Sequence, residues 1–147
     1  MSAPRVALDI DIPSDVRQIE PVIRQVTDTC RSLDLPRQQC SLNVPVALSE
    51  ALSNAILRGN HEDVTKRVHL RTLVADHELV FEIRDEGPGF NLEASTRDPE
   101  QQNALEREDG RGIFLMRTLM DSVEQFQQGG NVVRMTLRLP DTSPEPR

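Results

Sequence analysis

Glu50 and Asn54 are the first pair of residues in this chain whose types and spacing could do chemistry. They lie four residues apart, so on a helix they are neighbours on one face. A carboxylate beside an amide suits a general base that works next to a hard metal ion such as Mg²⁺. Taken singly, each residue is more often a solvated helix side chain, so the pair gains meaning only from what lies near it.

Asp85 is a second candidate because of its place in the chain. The apolar side chains at 79, 81 and 83 share one face of a predicted strand, and Asp85 comes next in that register. A bare buried carboxylate is costly and needs a specific partner. Gly87 and Gly89 follow and permit close approaches. Two interpretations stay open: a ligand site that accepts a hydrogen bond from an amine, or a turn whose aspartate bonds its own backbone.

Gly110 and Gly112 form the third group, directly before a predicted helix that begins at Ile113. A helix start whose amides are exposed by glycine is a natural anion site. Together the three groups describe a nucleotide site, with an exocyclic amine at one end and polyphosphate with magnesium at the other.

Three helices must position these groups. We predict a first helix from about residue 16 to 33 that starts or kinks at Pro21. The second runs over 44–59, with Asn43 as its cap and Pro45 in its first turn. The third covers 113–120. The polar stretch 91–109 is expected to be a long loop or lid, with a short helical piece near 103–108.

Alternating apolar residues and turn signals predict about five strands, at 5–12, 67–74, 79–85, 122–127 and 132–139. The pattern indicates an α+β fold: a two-layer sandwich in which helices cover one face of a mixed, largely antiparallel sheet. We expect one domain over residues 1–140 and a flexible tail over 141–147.

Composition narrows the classes of function. A net charge of −7 and four Phe without Trp or Tyr argue against a nucleic-acid surface. No apolar stretch reaches the length of a membrane span, and residues 1–9 lack the apolar core of a signal peptide. Cys30 and Cys40 are interpreted as reduced packing residues. These features predict a cytoplasmic protein.

Three stretches, in order, resemble the N, G1 and G2 boxes of the superfamily that unites gyrase, heat-shock chaperone, histidine kinase and mismatch-repair ATPases (GHKL). They are Ser49-Glu50-Ala51-Leu52-Ser53-Asn54-Ala55-Ile56, Asp85-Glu86-Gly87-Pro88-Gly89-Phe90, and Gly110-Arg111-Gly112-Ile113-Phe114-Leu115-Met116 followed by Asp121. The resemblance spans roughly residues 12–139. In its short length the chain is most similar to the anti-sigma factor serine/threonine kinases, which implies a Bergerat-type ATP-binding fold.

The resemblance implies a role for each matched residue. Asp85 would bind the adenine amine, with Gly89 making room for the ring. Asn54 would ligate the Mg²⁺ that bridges the phosphates, and Glu50 would take a proton from the attacking hydroxyl. Arg107 would lie near the γ-phosphate. Further nucleotide contacts would come from Gly87, Phe90, Gly110, Arg111, Gly112, Ile113 and Asn131.

The chain departs from the family pattern at three places. Arg58 stands where close relatives often carry histidine, and Asn131 stands where they usually carry threonine in the adenine pocket. The presumed lid has six acidic residues, Glu93, Asp98, Glu100, Glu106, Glu108 and Asp109, against Arg97 and Arg107. An acidic lid is repelled by polyphosphate unless magnesium intervenes.

The resemblance implies an ATP- and Mg²⁺-dependent serine/threonine protein kinase that sequesters a sigma factor and phosphorylates an anti-anti-sigma (STAS-type) protein. It also implies a homodimer, and neither a nucleic-acid nor a membrane partner is expected. Two alternatives stay open. One is a partner-switching module that binds nucleotide without kinase turnover. The other is a fragment of a sensor histidine kinase, although the chain has no room for a helical hairpin with a phosphoacceptor histidine.

Overall fold

A computed structural model describes residues 5–33, 35–88 and 104–139, with the side chains of 104–110 outside that description. Within these ranges the chain forms five strands: β1 (Arg5–Pro13), β2 (Arg67–Ala75), β3 (Glu78–Asp85), β4 (Ser122–Gln127) and β5 (Asn131–Arg138). Its three α-helices are α1 (Ile19–Ser32), α2 (Val44–Asn54) and α3 (Ala104–Leu119). None of the described helices is long and apolar enough to cross a bilayer.

The strands form one sheet in the order β1-β2-β3-β5-β4. Each neighbouring pair is antiparallel, which confirms the largely antiparallel sheet that the sequence predicted; the described strands include no parallel pair. The register places Asp85, the last residue of β3, opposite Asn131, the first residue of β5. Two polar residues therefore meet at one end of the sheet.

The predicted two-layer arrangement is confirmed, with helices on one face of the sheet. Alternate strand side chains point toward the helices and are buried, among them Leu70, Phe81 and Met135. Leu48 and Met116 meet them from α2 and α3 in one apolar cluster. Charged residues lie on the opposite face, as in the cross-strand pair Arg134–Glu82 at 2.7 Å. The strand period of two thus separates core from surface.

The helix before the sheet's second strand begins earlier than its predicted cap at Asn43. A π-helical turn over Gln39–Asn43 precedes α2, and Asn43 itself has helical dihedral angles. Its side chain makes no cap; the Nδ2 atom donates to the carbonyl of Leu119 at 2.8 Å. The cap prediction is wrong because the apolar face continues upstream through the buried Cys40. A second π turn, Ala55–Gly59, extends the helix to its predicted end.

The first helix starts close to the predicted point. A 3₁₀ turn over Val16–Gln18 leads into α1, and Asp15 caps it by accepting from the backbone N–H of Arg17 at 2.9 Å. Pro21 lies in the first turn of α1, where its missing N–H removes no helical hydrogen bond. Of the two alternatives at this proline, a helix start just before it is correct.

The third helix is longer than predicted. It begins at Ala104 rather than Ile113, so Gly110 and Gly112 lie inside it. The predicted short piece near 103–108 and the predicted helix 113–120 are one continuous element. Residues Ala104–Glu108 are good helix formers apart from their charge, and each interior glycine costs only about 1 kcal/mol relative to alanine.

Candidate nucleotide site

Asp85 is the centre of one end of the site. Its side chain is on the helix-covered face, and the residue is 3% exposed. One carboxylate oxygen accepts from the N–H of Gly87 at 2.7 Å, and the other accepts from Nδ2 of Asn131 at 3.2 Å. Burial raises the pKa of Asp85, while these two hydrogen bonds act in the opposite direction. Asp85 therefore points toward the core and also accepts a hydrogen bond from the backbone of its own turn.

Three glycines let the backbone close around this carboxylate. A Cβ atom at Gly59 would collide with the carboxylate of Asp85, and one at Gly87 would collide with the backbone of Gly59. A Cβ at Gly130 would collide with the backbone carbonyl of Asp85. The end of the helical segment and the turn after β3 thus pack directly on the acid, which only residues without a side chain allow.

The other end of the site is formed by Glu50 and Asn54 on α2. Both are half-buried. They face Gly112 of α3, because a Cβ atom there would lie 2.8 Å from Oε2 of Glu50 and 3.6 Å from Nδ2 of Asn54. The structure therefore brings together two of the three groups that the sequence singled out, although they are far apart in the chain.

One helical segment, residues 44–59, joins the two ends; we call it the α2 rod. Glu50 lies near its middle and Gly59 at its end, nine residues or roughly 13 Å along a helix. A hydrogen-bond acceptor at one end and a carboxylate with an amide at the other are thus held at a fixed distance. This arrangement fits a ligand that has an amine at one end and phosphates at the other.

The donor set also fits a magnesium ion that arrives with such a ligand. The described residues contain no cluster of three or more histidine, cysteine, aspartate or glutamate side chains that would hold a metal by itself. Asn54 offers one amide oxygen, with the Glu50 carboxylate one turn away. Mg²⁺ commonly binds through one or two protein groups, water and substrate phosphates. We therefore expect metal binding to depend on nucleotide.

Comparison with known proteins identifies the family of this chain. Residues 12–137 match the profile of the family described as histidine kinase-like ATPase domain. The chain belongs to this family.

Individual relatives are more distant. The chain is 27% identical to the anti-sigma F factor of Bacillus subtilis over 134 residues, which cover 88% of this chain and 81% of the relative. It is 32% identical to the serine-protein kinase RsbW of the same organism over 99 residues, or 64% and 62% of the two chains. A crystal structure of the RsbU and RsbW domains of a Mycobacterium tuberculosis protein matches with a TM-score of 0.64 at 15% identity. The match covers 94% of this chain and 33% of that one, and it supports the fold alone.

The glycines of α3 lie differently from the prediction for this ATPase domain. Inside a helix, each N–H pairs with the carbonyl four residues back, so the amides of Gly110 and Gly112 belong to the ladder of α3. The unpaired amides of the helix are those of its first turn, from Ala104 onward. Arg111 is exposed, and Ile113 is 1% exposed within the hydrophobic core.

Three predicted site residues have no described side-chain position. Gly89 and Phe90 lie outside the described residues. Arg107 lies within α3, but its side chain is not described. Their nucleotide contacts stay predictions.

Sequence reasoning missed several polar residues that support the site. Asn60 is fully buried. Its Nδ2 atom donates to Oγ of Ser14 at 2.9 Å and to the carbonyl of Arg67 at 3.0 Å. Its Oδ1 atom accepts from the N–H of Glu86 at 2.8 Å. It ties the turn after β3 to the ends of β1 and β2. Gln125 was missed too, although a polar residue at a core-facing position of β4 was a readable signal.

Proposed function

We propose that this chain is an ATP-binding anti-sigma regulatory factor with serine/threonine protein kinase activity. Its substrate would be a serine or threonine of an anti-anti-sigma protein, and its second partner a sigma factor. The names of the relatives support this, since they include anti-sigma F factors and a serine-protein kinase. The structural support is one observation: Glu50 and Asn54 face Gly112 at one end of the α2 rod while Asp85 packs on Gly59 at the other.

The proposed reaction moves the γ-phosphoryl group of ATP to the oxygen of a serine or threonine side chain. Asp85 accepts a hydrogen bond from the adenine amine. Asn54 would help to hold Mg²⁺, which would supply charge neutralisation at the phosphates. Glu50 accepts the proton of the attacking hydroxyl as the new P–O bond forms and ADP leaves. Positioning and charge neutralisation supply most of the rate in such transfers, so a short list of residues suffices.

A second candidate function is a partner-switching module that binds nucleotide without turnover. The course of α3 favours it, because the amides of Gly110 and Gly112 are already used inside the helix. Phosphate binding through those amides would require the first turns of α3 to rearrange. Nucleotide binding through Asp85 makes no such demand.

A phosphotransfer assay with labelled ATP, Mg²⁺ and STAS-type partner proteins distinguishes the two functions. The proposal expects label on the partner with the wild-type chain. Glu50→Ala is expected to bind ATP with wild-type affinity and to lose transfer by at least about 100-fold, the usual range for a general base.

Glu78→Ala is the matched control. Glu78 is an exposed glutamate and the first residue of β3, at the strand end opposite Asp85, so phosphotransfer should stay unchanged. ATP binding without label on any partner would favour the module over the kinase. Equal transfer by wild type and Glu50→Ala would remove Glu50 from its role, and absence of ATP binding would refute both functions. The homodimer stays a prediction, which sedimentation can test.

A further inference from the structure

Asn60, the residue directly after the α2 rod, carries a buried amide that the proposed reaction does not use. Its Oδ1 atom accepts from the backbone N–H of Glu86 at 2.8 Å, and Glu86 directly follows Asp85 in the chain. Its Nδ2 atom donates to Ser14, the residue after β1, and to the first carbonyl of β2. One side chain thus joins the end of the α2 rod to three other segments. We call the bond from Glu86 N–H to Asn60 Oδ1 the Asn60 clamp.

The backbone fixes the orientation of the Asn60 amide. The carbonyl of Arg67 can only accept a hydrogen bond, and the N–H of Glu86 can only donate one. Turning the amide over would bring Oδ1 against that carbonyl and Nδ2 against that N–H, and neither backbone group can reverse its role. Ser14 fits the same orientation, because its Oγ atom donates to the carbonyl of Lys66 at 2.7 Å and so accepts from Nδ2.

The Asn60 clamp lies beside the contact that packs Asp85 on the α2 rod. A Cβ atom at Gly59 would collide with the Asp85 carboxylate, and one at Gly87 would collide with the backbone of Gly59. Asn60 and Glu86 are the next residues after Gly59 and Asp85, so the same two segments are joined a second time. Packing alone resists approach, whereas a hydrogen bond also fixes distance and direction. The clamp therefore determines where the turn after β3 lies on the end of the α2 rod.

We propose that Asn60 is a positioning residue for nucleotide binding, because it holds the turn after β3 on the end of the α2 rod. Asp85 begins that turn, and the α2 rod carries Glu50 and Asn54, so the clamp keeps the two ends of the site at one separation. The proposal rests on the nucleotide site of the proposed function. A nucleotide gains affinity from both ends only when their separation matches it, and a turn that the ligand itself must order costs affinity.

Titration calorimetry with ATP and a double-mutant cycle test the proposal. Asn60→Ala removes the clamp and should lower ATP affinity about tenfold, because the turn is no longer preorganised. In an Asp85→Asn background the same change should lower affinity by about twofold at most, since the acceptor that the clamp positions is already gone. A merely structural role of Asn60 predicts the same effect in both backgrounds.

Ser14→Ala is the matched control, because it removes another hydrogen bond of the same amide and leaves the clamp in place. Its ATP affinity should stay within about twofold of wild type, although both variants are expected to unfold at lower denaturant concentration. Should Asn60→Ala fail to fold, Asn60→Ser carries the test, since its hydroxyl still offers a hydrogen bond but is shorter than the amide that spans both sides.

Three results would overturn the proposal. They are a folded Asn60 variant with wild-type ATP affinity, an equal loss in the wild-type and Asp85→Asn backgrounds, and a loss in Ser14→Ala as large as that in Asn60→Ala. A wild-type chain that binds no ATP would instead refute the proposed function, and this proposal with it, before any variant is compared.

Discussion

At the scale of single residues, Asp85 stands out because its burial is electrostatically unfavourable. The carboxylate accepts two hydrogen bonds, yet burial is the larger influence and raises its pKa above the ordinary value of 3.8. Between that value and the raised one, the folded chain binds more protons than the unfolded chain. The stability that protonated Asp85 contributes is therefore lost as pH rises through the folded-state pKa. The ionised form, which accepts hydrogen bonds from a ligand, is thus the form that burial disfavours.

Asp85→Asn should separate these two effects. ATP affinity is expected to fall by roughly 10- to 100-fold, because a charge-assisted hydrogen bond is worth about 1.5–3 kcal/mol. The free energy of unfolding without nucleotide should change by less than about 1 kcal/mol at pH 7, because the charge that burial disfavours is gone. Calorimetric titration and denaturant unfolding of the same samples measure both quantities.

Comparison with Asp121→Asn provides the control, since Asp121 is an exposed aspartate whose carboxylate accepts from the backbone N–H of Arg138. ATP affinity should be unchanged in that variant. Unchanged affinity in Asp85→Asn would show that the acid does not touch the base.

At the scale of elements, the contact between the α2 rod and α3 assembles the phosphate end of the site. Gly112 is an interior residue of α3, where glycine is unfavourable, and it faces Glu50 and Asn54. An alanine at 112 would suit the helix better by about 1 kcal/mol. Its Cβ would stand 2.8 Å from Oε2 of Glu50, so the carboxylate would have to move. Helix stability and the position of the proposed base thus make opposite demands on this residue.

Gly112→Ala should therefore raise the unfolding temperature slightly or leave it unchanged, while phosphotransfer falls at least about tenfold because Glu50 is displaced. Thermal unfolding without nucleotide and the labelled-ATP assay give the two readings.

Gly129→Ala should show the opposite pattern. Gly129 has a φ of +67° and open space around its Cβ position, so alanine there costs about 1 kcal/mol of stability but touches no site residue. Wild-type transfer by Gly112→Ala would mean that α3 and the α2 rod separate in the active state.

At the scale of the whole molecule, two free thiols lie in the common core, Cys30 on α1 and Cys40 in the π-helical turn that precedes the α2 rod. Cys30 and Cys40 are both buried, as the sequence predicted. Leu35 lies between them: its N–H donates to the carbonyl of Cys30 at 3.3 Å, and its own carbonyl accepts from Sγ of Cys40 at 3.7 Å. Burial, with the nearby Cys40 thiol, raises the pKa of Cys30 to about 12. A thiol in this position stays protonated as long as the fold is intact.

Stability should therefore decrease as pH rises from about 9 to about 12. In this window the unfolded chain releases the Cys30 proton while the folded chain retains it, so unfolding is favoured. Denaturant unfolding at a series of pH values measures the slope. Cys30→Ala should reduce the slope, whereas Cys30→Ser introduces a hydroxyl into the same apolar site and should lower stability at every pH. An identical slope in wild type and Cys30→Ala would show that Cys30 does not carry this dependence.

Local patterns in the sequence determined the fold class of this protein and the faces on which its candidate site residues lie. The period of two along β3 placed Asp85 inward, and the spacing of four placed Glu50 and Asn54 together on a helix. Both inferences depend only on the geometry of one element, which neighbouring residues dictate. The same reasoning predicted the number of strands and helices and the two-layer fold. The cap at Asn43 and the start of α3 were wrong because helix ends depend on packing beyond the local pattern.

Contacts between distant segments were decided only by the tertiary structure. No local pattern shows that Gly59 packs on Asp85, that Gly112 faces Glu50, or that Gln125 donates a hydrogen bond to Asn131. Each contact joins residues on different elements, and its geometry follows from how the helices lie on the sheet and how β5 inserts between β3 and β4. The sequence by itself thus determined which side chains are able to do chemistry, while the packing of elements decided which of them meet.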